Sequence, residues 1–156
     1  MHSVEILIAA YAEEDRRLLE LARQCPPARR EERLVDSRMS LLQTLGHLAF
    51  WDDYTVGFFE ARCENRDVTP LTLQEFEDRN QNELNRLCGL PFEEALETYQ
   101  AATRALVRFL REHWDDLTDK DRGNFSIPLK HRRHHRRKLR ASLEAWRDDA
   151  AEEKAG

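Results

Sequence analysis

The chain has 156 residues, enough for one domain that buries a continuous core without disulfides or a structural metal. Apolar residues make up 40% and charged residues 35%, a balance that excludes a disordered polymer, and five Gly and five Pro are too few for a many-turned all-β protein. The net charge of −5 hides an asymmetry: KHRRHHRRKLR, from Lys130 to Arg140, holds seven Lys/Arg and no acid, leaving −12 on the remainder and excluding a uniformly basic nucleic-acid protein.

Val4, Leu7, Ile8, Tyr11, Leu18, Leu21 and Ala22 recur at three-and-four spacing, which predicts an amphipathic helix over 4–24 that Pro26 and Pro27 end. A charged connector runs to Ser40, where Ser40 and Gln43 form a capping-box pattern opening a second helix, 41 to about 63. Leu41, Leu45, Leu48, Ala49, Val56 and Phe59 make one apolar stripe on it. At about 100° per residue, His47, Phe50, Trp51, Tyr54 and Phe58 fall on the opposite side. Two apolar faces suit a central helix or one shared with a partner subunit, so a homodimer is expected.

Thr72 and Glu75 form a second capping box, which opens a short polar connector helix closed by Cys88-Gly89. Pro91 suits the first turn of the next helix, which carries Phe92, Ala95, Leu96, Tyr99, Ala102, Leu106, Val107, Leu110 and Trp114. A loop with Gly123 and Asn124 follows. Ser126 is the expected cap of a last helix that Pro128 begins, with Leu139, Leu143, Trp146 and Ala150 inward. The main helices lie near 1–25, 40–63, 91–117 and 127–152. The fold class is all-α: an up-and-down four-helix bundle with a connector between helices 2 and 3, one domain over 1–152 and a frayed polar tail at 153–156.

The histidines carry the functional signal. With Leu139 as zero, Leu143, Trp146 and Ala150 lie within roughly 40° of it. His135 falls at about −40° and His131 at about −80°, continuing the inward stripe, whereas His134 sits near −140° on its margin. An i, i+4 pair projects both imidazoles from one face, and a third His on a neighbouring helix, His47, completes a three-nitrogen metal site with open coordination positions. His2 and His113, near a terminus and a helix end, receive no role. Arg132 falls near +20°, on the core stripe; it either snorkels out or points a guanidinium into the cleft, where it would bind a carboxylate or phosphate. Lys130, Arg133, Arg137 and Arg140 read as a solvated face. Asp52 and Asp53 follow the His47 motif and either pair with the basic helix or support an imidazole from behind; Asp52 lies almost opposite His47, which disfavours direct ligation.

The stretch LLQTLGHLAFWDDYTVGFFE resembles the second helix of the DinB/YfiT-like superfamily, where a His is followed four residues later by an aromatic and then acids. LKHRRHHRRKLRASLEAW resembles that family's last helix, with its HxxxH. Motif order, spacing, connector and length also agree, so the resemblance covers nearly the whole chain. It departs at Arg38-Met39, where the family often has an aromatic, and at Arg132, where an aromatic or acid is commoner. The resemblance implies a four-helix bundle, commonly dimeric, that binds a divalent transition metal such as nickel or zinc through His47, His131 and His135. It also implies thiol-dependent transfer or metal-dependent hydrolysis of a small electrophile, with a low-molecular-weight thiol as co-substrate. Trp51 and Arg132 are the expected substrate contacts, and Asp52 the expected support behind the ligands.

Two other readings stand beside this one: a non-enzymatic small-molecule binding protein using the same cleft, and an anion- or nucleic-acid-binding module on the basic helix. The last is the weakest, because no aromatic interleaves the basic run to stack a base and the surrounding charge repels a phosphate backbone. No apolar run approaches the ~20 residues that span a bilayer and no charged-then-apolar leader opens the sequence, so a cytoplasmic location without a membrane partner is expected. Cys25, Cys63 and Cys88, odd in number and widely spaced, fit reduced thiols in that compartment.

Overall fold

Each long helix is delimited by local chemistry. In this computed structural model, which describes residues 2–156 with side chains from Val4 onward, α1 spans His2–Gln24 and stops at Pro26-Pro27, where a single 3₁₀ turn (Pro27–Arg29) begins. Met1 and the His2 side chain lie outside the described residues. α2 (Leu41–Cys63) and α3 (Leu73–Arg86) both start with the expected capping boxes: Ser40 and Gln43, and Thr72 and Glu75, each exchange two side chain–backbone hydrogen bonds. Gly89, at φ +74°, turns the chain after α3. α4 spans Phe92–His113 and gives way to a 3₁₀ turn at Trp114–Asp116.

The stretch after α4 departs from expectation. A six-residue helix α5 (Asp119–Asn124) replaces the predicted loop, capped by Thr118 and anchored where Arg62 of α2 meets Asp121 at 3.2 Å. α6 (Ser126–Ala155) has Phe125, not Ser126, in its N-cap position; the Ser126 hydroxyl instead donates to the Gly123 carbonyl. α6 also continues through the tail to Ala155, and Ala150, read as inward, is exposed.

α1, α2, α4 and α6 form the all-α bundle, and the described residues include no strand. One end of the core joins Leu18 and Ala22 of α1 to Leu41, Leu45, Tyr99, Leu139 and Leu143; the other joins Val4, Ile8 and Tyr11 to Phe59, Leu106, Phe109 and Leu129. The start of α1 therefore sits with the ends of α2 and α4 and the start of α6. α2 and α4 run one way, and α1 and α6 the other, so the expected up-and-down alternation holds only with α3 counted between α2 and α4. The connector makes this possible by returning along the outside of α2. Phe76 meets Trp51 and Tyr54, Asn80 meets Trp51, and the Gln43 amide donates to the Leu84 carbonyl.

α3 also packs on the second apolar face of α2. Phe76 stacks on Trp51 with ring centroids 4.8 Å apart, and Leu87 packs so closely over Gly46 that a methyl there would overlap its Cδ atoms. Part of that face is thus covered within the chain, by Phe76 over Trp51 and Tyr54. Among the described residues, no helix is long and apolar enough to cross a membrane.

Candidate metal centre

His47 of α2 and His131 and His135 of α6 meet inside the bundle. Nε2 of His131 lies 3.0 Å from Nε2 of His47 and 3.0 Å from Nε2 of His135. The rings cross edge to face, with centroids 4.8 Å apart for His47–His131 and 4.7 Å for His131–His135. Protons alone do not satisfy this arrangement. A neutral imidazole nitrogen either donates one hydrogen bond or accepts one, so Nε2 of His131 cannot serve both neighbours. A cation facing three lone pairs can. Two nitrogens at about 2.1 Å from one ion and about 90° apart lie about 3.0 Å from each other, which is the spacing found here. His134, in contrast, is exposed.

The environment keeps the imidazoles neutral, as ligation requires. Burial drives His47 down to about 4, reinforced by Arg38. Burial, then His47 and Arg132, takes His131 to about 3, and burial with the other two imidazoles takes His135 to about 2. The Nδ1 atoms of His47 and His135 are buried without a hydrogen-bond partner, so no hydrogen bond on the outer side of those rings orients them.

Two expectations about neighbouring residues need correction. Asp52 does not support an imidazole; it is buried at 2% exposure with both oxygens on Arg132. Arg132 offers no guanidinium to a substrate, because it is fully buried at 0% exposure and held by Asp15, Asp52, Thr103 and the Pro128 carbonyl. Arg132 faces inward as its helical angle implies, and Asp52 takes the pairing with the basic helix that its position left open; Asp15, on α1, lies beyond the reach of a local pattern. Glu14 went unnoticed for the same reason. Burial raises its carboxyl, yet hydrogen bonds from Arg136 and Arg133 hold it below its ordinary range. Of the seven cations in the basic run, Arg132 and Arg136 are thus interior and Arg133 is paired, which shrinks the surface available to an anionic polymer.

A cleft of about 780 Å³ leads from solvent to His47 and His131. Trp51, Tyr54, Phe58 and Phe76 form its aromatic walls, and Lys130 stands at an exposed position on its lining. Trp51 is fixed by its indole N–H, which donates to Asn80 Oδ1 at 2.8 Å. Cys63 packs against the core at the far end of α2 and is not part of the cleft lining.

Compared with protein families, with curated proteins and with solved structures, the chain finds no match in any of the three. The meaning of the site therefore rests on its own geometry: three imidazoles that could hold a metal ion at the inner end of an apolar cleft.

Proposed function

We propose that this protein is a metal-dependent enzyme of the DinB-like type, in which His47, His131 and His135 hold a divalent transition ion such as nickel or zinc. It would act on a small electrophile by hydrolysis or by transfer to a low-molecular-weight thiol. The observation that carries the reading is the convergence of three neutral Nε2 atoms, two pairs at 3.0 Å, where the cleft ends. Bound there, the ion supplies Lewis acidity to a polar atom delivered along the cleft. The chain supplies the rest. Trp51, Tyr54, Phe58 and Phe76 bind an apolar body and exclude water, and the Trp51–Asn80 bond holds the largest wall in place. With Arg132 withdrawn, Lys130 is the cation left to meet a carboxylate of a thiol co-substrate.

A second reading, a non-enzymatic binding protein, draws on a different observation. The one acid that lines the cleft, Asp52, is engaged by Arg132 and is not free to serve as a base.

Elemental analysis after equal nickel or zinc loading tests the metal. The parent should carry about one ion per chain. His47→Ala, His131→Ala and His135→Ala should lose most of it with helicity intact, while His134→Ala keeps it. A parent without metal, or equal content in His134→Ala and His135→Ala, would overturn the assignment. Thiol-plus-electrophile assays on the loaded parent and on His135→Ala then separate the two readings. Turnover lost with the metal supports the enzyme, and ligand binding without turnover supports the binding protein.

A further inference from the structure

His131 and His135 need no tertiary structure to be brought together, because they sit one turn apart on α6. His47 arrives on α2, so the way its ring meets the other two depends on how α2 is set along and around α6. One pair of side chains crosses the same gap beside the histidines: Arg132, next to His131, and Asp52, five residues past His47. Arg132 Nη1 donates to Asp52 Oδ1 at 3.0 Å and Nη2 to Oδ2 at 2.5 Å, a fork-to-carboxylate geometry that admits one relative placement of the two helices. Both side chains are buried, Arg132 at 0% and Asp52 at 2% exposure. The remaining donors reach Asp15 of α1 at 2.9 Å, Thr103 of α4 at 3.1 Å and the Pro128 carbonyl at 3.3 Å, so one guanidinium ties all four long helices. A buried ion pair is a poor source of net stability, but it is well suited to specifying how elements sit together.

We propose that Arg132 and Asp52 are positioning residues of the three-histidine site: their two-pronged pair sets α2 against α6 and so brings His47 onto His131 and His135. The inference rests on the metal reading above. Asp15 supplies an internal control, since it binds the same guanidinium from α1, which carries no ligand.

Titration with cobalt(II), whose absorption spectrum reports its ligands, tests this on the parent, Asp52→Asn and Asp15→Asn, with helicity and denaturation followed in parallel. Asp52→Asn should weaken cobalt binding about 10–100-fold and alter the spectrum. Asp15→Asn should lower stability while leaving affinity and spectrum close to the parent's. The triple variant Asp15→Asn/Asp52→Asn/Arg132→Met removes the charges together, leaves none unpaired and should show the same affinity loss in a folded protein. Cobalt binding by Asp52→Asn or the triple variant as tight as that of Asp15→Asn overturns the positioning role and leaves the metal reading standing. So does loss of the fold in both, which would make the pair a folding element. A parent that binds no cobalt overturns both ideas.

Discussion

At position 132 the last helix carries a cation on its interior stripe, flanked by the rings of Tyr11 and Tyr99 at 5.0 and 5.6 Å and by two carboxylates. Replacing it with Met leaves Asp15 and Asp52 buried with no counter-charge, and we expect a loss of about 3–5 kcal/mol in denaturant unfolding. Arg137→Met, in the same run but exposed, should stay within about 0.5 kcal/mol. Equal effects would mean that Arg132 is not the hub described. That Arg132 faces inward was legible from its helical angle. Asp52 was open either to pair with the basic helix or to support an imidazole, and Asp15 carried no signal, because the partners stand 80 and 117 positions away and an isolated Asp in a helix looks the same whether solvated or buried.

The connector helix shows what a single element contributes. α3 buries only Leu84 among its own residues, yet it roofs the aromatic face of α2 and closes with Leu87 seated on Gly46. Gly46→Ala forces that buried leucine to repack, and we expect about 1–3 kcal/mol of destabilisation in thermal unfolding. Ser40→Ala removes one side of the α2 capping box and should cost about 1 kcal/mol without altering metal content. A Gly46→Ala protein as stable as the parent would show that α3 does not bear on α2 at this point. Both capping boxes were readable, since the Ser/Thr-x-x-Gln/Glu pattern acts over four residues. α5 was not, because its Gly123-Asn124 end reads as a turn and its anchor is the distant Arg62.

For the molecule as a whole, the buried histidines couple folding to pH. In the unfolded chain they take up protons below about pH 6.5; folded and metal-free, His47 does so only near 4, His131 near 3 and His135 near 2. The unfolded state then binds more protons, so stability holds above about pH 6.5 and falls as pH drops, each such proton contributing about 1.4 kcal/mol per pH unit. Asp52, pushed up to about 6 by burial against the pull of Arg132, works the other way, one group against three. Denaturant midpoints of metal-free protein at pH 7.5, 6 and 5 should therefore decline steadily. A rise toward pH 5 would mean that the imidazoles are not buried as neutral groups.

The sequence by itself determined the four long helices and the connector, both capping boxes, the inward face of α6 and the choice of His47, His131 and His135 over His134. Each of these is set by periodicity or side chain–backbone bonding within a turn or two. Tertiary structure alone decided that α2 and α4 run the same way, that Arg132 is spent on Asp52 and Asp15, and that α3 walls the cleft. The meeting of His47 with His131 joins residues 84 positions apart. Such a distance is fixed by how whole helical faces pack, and a local pattern carries no record of which distant side chain it will meet.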